Sequence, residues 1–125
     1  MDPSGSFVYF DGDDVGARIE LLLLGNDADG AALVSRDVVR AVGEAADRIR
    51  TSLNGTIVFA AGDEVLAYLP VAPDPHQLEQ IRGQFHDRTH LTISCGAGPT
   101  PAEAARNLHL AKLQGKDQTA GLTRT

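Results

Sequence analysis

The pattern of apolar and polar positions divides the chain into short strands and helices. Ser6 to Phe10 is a brief apolar run that ends in an acidic loop, Asp11-Gly12-Asp13-Asp14. Val15 to Leu24 reads as a helix, with Gly16 in its first turn leaving room for close backbone approach. Gly25 to Gly30 is a turn-rich break. Beyond it Val34, Val38, Val42, Ala45, Ile49 and Leu53 recur at three- and four-residue steps. One apolar stripe results, and it predicts a long helix from Ala31 to Leu53, stopped by Asn54-Gly55. Thr56–Ala60 and Val65–Leu69 are β-rich apolar runs on either side of Ala61-Gly62-Asp63-Glu64. A Gly-led pair such as Gly62-Asp63 suits a type II′ hairpin turn. Both strands are expected to be buried, which sends Asp63 and Glu64 to the open end of the sheet.

The second half continues the same alternation. Pro70 to Pro75 is a loop, and Asp74-Pro75 opens a helix with Asp at the N-cap and Pro at the first helical position. Leu78, Ile81 and Phe85 form the buried side of that helix. Leu91 to Gly98 reads as a strand, glycine-rich toward its end. Thr100-Pro101-Ala102-Glu103 is a capping-box start for a last helix, which carries Ala104, Leu108 and Ala111 on one face and ends at Gly115. The tail after Lys116 is polar, and its pattern leaves pairing and fraying both open. The order β-α-α-β-β-α-β-α, with the acidic hairpin at its centre, implies an α+β sandwich of split-βαβ type. Its helices are expected to cover one face of a largely antiparallel sheet.

Composition narrows the class. At 125 residues a single domain over residues 1–125 is expected, with its core at about 6–117. Cys95 is the lone cysteine, so no internal disulfide forms and a reducing, cytoplasmic setting is expected. The N-terminus lacks the features of a signal peptide, and the longest apolar run, Leu21 to Leu24, falls far short of a membrane span. Seventeen acidic against eleven basic residues give a net charge of −6. That balance argues against stable nucleic-acid binding. It leaves room for a small anionic ligand bridged to carboxylates by metal ions.

The carboxylates supply the candidate chemistry. Asp11 ends an apolar strand, where an acid is costly unless paired, hydrogen-bonded or metal-bound. With Asp13, Asp14, Asp63 and Glu64 it would bring five acids to one end of the sheet if the first strand and the hairpin are neighbours. Asp11 with Asp63 reads as a metal pair, whereas Asp14 alone reads as a solvated turn residue capping the next helix. Two Mg²⁺ or Mn²⁺ ions held ~3.5–4 Å apart activate an attacking hydroxyl and stabilise leaving pyrophosphate. Lys112 and Lys116, taken alone, are surface residues near a helix C-terminus. His76, His86, His90 and His109 read as surface or loop histidines, and no zinc-type cluster stands out. Cys95 reads as a small buried hydrophobe, and Tyr9 and Phe10 as core.

Four motifs occur in an order that resembles a known superfamily. They are Asp11-x-Asp13, Ala61-Gly62-Asp63-Glu64-Val65, Thr92-Ile93-Ser94-Cys95-Gly96, and Ala111-Lys112-Leu113-Gln114-Gly115-Lys116-Asp117. The chain resembles GGDEF-type nucleotide cyclases and the polymerase palm of type III CRISPR large subunits. With Phe10-Asp11-Gly12-Asp13-Asp14-Val15-Gly16 on so short a chain, it is most similar to the minimal CRISPR polymerase family. The resemblance spans roughly residues 7 to 117 and implies a palm, ferredoxin-like fold.

It also implies roles. Asp11 and Asp63 would be metal ligands, with the Gly12 carbonyl assisting. Glu64 would bind metal or orient the attacking hydroxyl. Gly62 would let backbone approach phosphates, Lys112 and Lys116 would neutralise the triphosphate, and Asp13 would be a further catalytic acid. Ala61 and Val65 depart from the GGDEF pattern, and Ser52-Leu53-Asn54-Gly55 replaces the Arg-x-x-Asp feedback site. These departures favour ATP over GTP. The activity implied is cyclic di- or oligonucleotide synthesis, with cyclic di-adenylate foremost, as a bacterial anti-phage signal read by a separate effector. Two facing triphosphates imply a homodimer or higher oligomer. The alternatives are a purine triphosphate hydrolase of the GTP cyclohydrolase III type and a non-catalytic nucleotide-binding module.

Overall fold

A computed structural model describes residues 1–122; the last three residues of the expected 1–125 domain lie outside the described residues. The elements are β1 (Ser6–Gly12), α1 (Val15–Leu24), α2 (Ala28–Ser52), β2 (Thr56–Ala61), β3 (Glu64–Leu69), α3 (Pro75–Thr89), β4 (Ile93–Gly98), α4 (Pro101–Leu113) and β5 (Thr119–Ala120). They form a five-stranded sheet in the order β2-β3-β1-β4-β5. β1 runs antiparallel to both β3 and β4, and β5 pairs parallel with β4. The polar tail therefore pairs, through Thr119 and Ala120.

Helix starts follow local chemistry. Asp74 accepts from the His76 amide at 2.9 Å, and the Thr100 hydroxyl accepts from the Glu103 amide at 3.2 Å. α2 begins three residues earlier than the apolar stripe predicts. Asp27, inside the turn-rich break, accepts from the Gly30 amide at 2.8 Å and caps a helix that already includes Ala28 to Gly30. The cap outweighs the glycine.

The stripe of α2 and the Leu78, Ile81 and Phe85 side of α3 close on one face of the sheet, against Val8, Phe10, Val65, Leu69 and Ile93. Phe10 is fully buried in the central strand, and truncating such a side chain costs about 3–5 kcal/mol. Two expectations need correction. β2 is not buried: it is the sheet edge, with Val58 and Phe59 exposed and a bulge between Ile57 and Phe59. The centre belongs to β1 instead. Nor do the helices cover one face alone. α4 packs on the opposite face, because β4 presents glycine there: a Cβ at Gly96 would lie 2.2 Å from the backbone of Ala104 and Leu108. That close approach brings the C-terminal end of α4 to the end of β1.

Candidate active site

The site forms where β1 ends. In the antiparallel register Asp11 lies opposite Glu64 of β3 and Ser94 of β4, so all three share the α4 face of the sheet. The two acidic segments are neighbours, which meets the condition on which their pairing depended. The hairpin closes with Ala61 paired to Glu64 and Gly62-Asp63 as the connection. Gly62 has φ +57, the left-handed value that the first position of a type II′ turn demands. The turn is tied back to the central strand, since the Gly12 amide donates to the Asp63 carbonyl at 3.0 Å. The Asp63 carboxylate leans over the same glycine: a Cβ at Gly12 would lie 3.1 Å from Asp63 Oδ2.

Lys112 enters from the last turn of α4. Its ammonium donates to the Asp11 carbonyl (3.1 Å), the Gly12 carbonyl (2.9 Å) and Asp13 Oδ1 (2.7 Å), and lies 3.5 Å from Asp11 Oδ2. A carbonyl has two lone pairs, so Gly12 keeps one acceptor position. Burial pushes Asp11 up to about 6; Lys112 opposes the shift, and Asp63 and Glu64 add to it. Tyr9 stands on the same face, its hydroxyl 3.3 Å from Glu64 Oε1 and its ring edge-on to Phe59. Burial, then Glu64, raises the Tyr9 phenol.

Asp13 is placed differently from the other acids. It is 2% exposed, and its oxygens accept from Thr92 Oγ1 (2.7 Å), Ser94 Oγ (2.9 Å), Lys112 and the Asp117 amide (3.0 Å). Burial would raise its pKa, but hydrogen bonds led by Lys112 and Thr92 overcome that and hold it below the usual range. With every lone-pair direction engaged, Asp13 braces the site and does not face a ligand. Asp14 also departs from expectation. It occupies the N-cap position of α1 with φ +58 but makes no side-chain cap bond. Its carboxylate instead accepts from Lys116 Nζ at 2.5 Å, in an exposed pair.

The donors present are those a hard cation takes. The Asp11 and Asp63 carboxylates, Glu64 and the Gly12 carbonyl offer oxygen donors, and Asp11, raised first by burial and then by Asp63 and Glu64, is an acid whose charged form a cation would favour. Among the described residues no three His, Cys, Asp or Glu side chains form a cage by themselves. Mg²⁺ characteristically takes one or two carboxylates and completes its shell with phosphate and water. A cleft of about 400 Å³ between α1 and α2 opens beside Gly62 and Asp63, walled by Val15, Ile19, Val38 and Val39, with Ser35 at its rim. A cleft of similar size at the far end of the sheet, near Asn54 and the 70–74 loop, is remote from the Asp11 and Asp63 carboxylates and from both lysines.

Four residues of the site were given no site role by the sequence: Tyr9, read as core, and Thr92, Ser94 and Asp117, which appear only within the motifs. Thr92 and Ser94 alternate with apolar Ile93 and Cys95, a period-two signal of one polar face. Asp117 carried no comparable signal: its amide meets Asp13 and its carboxylate meets Arg82 only once the chain is folded.

The fold has known counterparts. A Csm1–Csm4 cassette in complex with one ATP superposes with a TM-score of 0.76 at 17% identity, over 97% of this chain and 21% of that one. The same cassette in complex with cA4 gives 0.75 at 17% identity and the same coverage, so this chain spans about a fifth of the length it matches. The GGDEF domain of DgcB from Caulobacter crescentus, in complex with c-di-GMP, gives 0.69 at 15% identity over 93% of this chain and 68% of that one. At such identities these likenesses concern the fold. No curated protein matches the sequence. No helix among the described residues is long and apolar enough to cross a membrane. The minimal CRISPR polymerase domain model matches residues 7–122, nearly the whole chain. The chain therefore belongs to the minimal CRISPR polymerase (mCpol) family.

Proposed function

We propose that the protein is a divalent-metal-dependent nucleotidyltransferase that joins nucleoside triphosphates into a cyclic di- or oligonucleotide and releases pyrophosphate. The observation that carries this reading is the convergence of Asp11, Asp63, Glu64 and Lys112 at the end of the central strand, in a chain of this family. An acceptor hydroxyl oxygen bonds to the α-phosphorus as the bond to the β-phosphate bridge breaks. The electron pair leaves with pyrophosphate and the hydroxyl proton passes to solvent. Asp11, Asp63 and the Gly12 carbonyl would hold Mg²⁺ or Mn²⁺, which would supply charge neutralisation and a more acidic hydroxyl. Glu64 orients that hydroxyl or joins the metal ligands. Gly62 leaves the turn backbone open to phosphate, and Lys116 exchanges its exposed Asp14 partner for phosphate oxygen. Lys112 holds the carbonyl end of β1 in place and contributes positive charge beside the triphosphate.

ATP is the favoured substrate. The cleft beside Asp63 has mostly aliphatic walls and suits a purine, and the bound ligands of the Csm1–Csm4 neighbours are ATP and cA4. We place the product in anti-phage signalling, read by a separate effector and made by a homodimer or higher assembly, since one palm presents one nucleotide half-site. The test is incubation with each of the four triphosphates and Mg²⁺ or Mn²⁺, measuring pyrophosphate against free phosphate and the product masses. Pyrophosphate with a cyclic adenine product, lost in Asp63→Ala, is expected. Free phosphate or a ring-opened purine would replace the synthase with a hydrolase. Binding without turnover would make the protein a receptor.

A further inference from the structure

Among the described residues two charged side chains are buried, Asp13 and Arg82. Asp13 braces the site, while Arg82 lies on α3, on the other face of the sheet, and nothing above uses it. Each of its three guanidinium nitrogens makes a hydrogen bond. Nε donates to the Ile93 carbonyl at 2.8 Å, Nη1 to Glu79 at 2.5 Å and Nη2 to Asp117 at 2.5 Å. A lysine has no planar fork to meet three acceptors in these directions.

Asp117 links this cation to the site. Lys116 and Asp117 have φ +64 and +52, consecutive non-glycine residues in the left-handed region. Such a pair is unfavourable for L-residues unless its surroundings hold it. Here the Asp117 amide is held by Asp13 and its carboxylate by Arg82, while the Cys95 amide donates to the Gln118 carbonyl at 2.9 Å. Thr119 Oγ1 donates to Glu79 at 3.1 Å, so α3 grips the segment twice. The gripped turn carries Lys116 and directly follows the helix that carries Lys112.

We propose that Arg82 is a positioning residue of the nucleotide site. From the far face of the sheet it clamps Asp117, and the clamped 116–117 turn keeps Lys116 and the α4 terminus aimed at the triphosphate. This inference rests on the nucleotide reading above. A purely structural ion pair would contribute to stability and leave nucleotide affinity untouched, so the two roles separate.

Asp117→Gly is the sharper variant. Residue 117 is exposed, and glycine accepts the positive φ at least as well as aspartate, so this change removes the clamp without imposing strain. Arg82→Met is the second variant, read alongside its thermal stability. The readouts are calorimetric titration with ATP and Mg²⁺, steady-state kinetics, and amide exchange at residues 116–119, all well below the melting temperature. Both variants are expected to lose exchange protection there and to weaken ATP binding about tenfold, through KM with kcat little changed. In a Lys116→Met background the loss should be less than additive. Unchanged exchange, or lost protection with wild-type ATP affinity, would overturn the positioning role alone. Failure of the wild-type protein to bind any nucleoside triphosphate would overturn the reading of the site and this inference with it.

Discussion

Asp11 and Asp13 are separated by one glycine, yet the open rim around the first and the closed bracket around the second differ in almost every physical respect. Asp11 shares its rim with Asp63 and Glu64, and burial together with these like charges raises it to about 6. Asp13 sits among four donor groups that more than offset its burial, and it is held low. One carboxylate carries charge the fold does not fully compensate, which is the condition for binding a cation. The other is compensated completely, which is the condition for holding a frame. Residue type and spacing do not distinguish them; the strand register and the reach of Lys112 do.

The largest expected effect tests the bracket. Asp13→Ala would leave Lys112, Thr92, Ser94 and the Asp117 amide without their shared acceptor. Removing one partner of a buried charge pair typically costs about 3–5 kcal/mol. Urea denaturation should show a loss of that order. A loss under about 1 kcal/mol would mean that the bracket is not closed in solution.

The next tests the rim. Asp11→Asn keeps the shape and removes the charge that the proposed metal needs. Pyrophosphate release should fall at least about 100-fold, with native stability retained or increased. If the urea midpoint falls as far as in Asp13→Ala, rim and bracket are one unit and the comparison fails.

That division also explains what was legible in the sequence. The α2 stripe, the acidic turn and the caps at Asp74 and Thr100 are local signals, and local physics decides them. Asp11 and Asp63 could be named because each sits at the end of an apolar strand, where polarity and periodicity collide, whereas Glu64 and Lys112 took their roles from the family resemblance. The errors arise where tertiary context decides. An apolar strand such as Thr56–Ala61 reads the same whether it lies at the edge or in the centre, and here it is the edge. Asp13 and Asp14 read as one acidic turn, but the chain splits them, one inward to Lys112 and one outward to Lys116. Arg82 falls on the buried side of α3 between Ile81 and Phe85, and only the three-dimensional course of residues 114–120 brings it the Asp117 carboxylate.

A third prediction uses the opposite titrations. With its folded pKa near 6 against a reference of 3.8, Asp11 binds more protons folded than unfolded across that window. Stability from this group therefore rises as pH falls from 7 toward 4. In metal-free buffer with chelator, wild type should gain about 1 kcal/mol relative to Asp11→Asn between pH 7 and pH 5. Asp13 has the reverse sign: its contribution is present above the ordinary carboxylate range and is lost as pH falls below it. A flat difference between wild type and Asp11→Asn would show that neither burial nor the neighbouring acids raise Asp11.

The smallest effect asks whether Glu64 belongs to the rim as fully as Asp11 does. Its carboxylate has one side-chain donor among the described residues, the Tyr9 hydroxyl at 3.3 Å, a long and weak bond. Tyr9→Phe removes that hydroxyl and preserves the edge-on packing against Phe59. A bond this long contributes little, so stability should change by less than about 1 kcal/mol. If Glu64 orients the attacking hydroxyl, freeing it should lower kcat by no more than about tenfold while leaving KM for ATP in place. If Glu64 serves the metal instead, the same variant should shift the Mg²⁺ concentration for half-maximal rate and spare kcat at saturating metal. Titrating metal against rate in Tyr9→Phe thus assigns the third acid of the rim, and a wild-type response in both parameters would remove Tyr9 from any part in placing it.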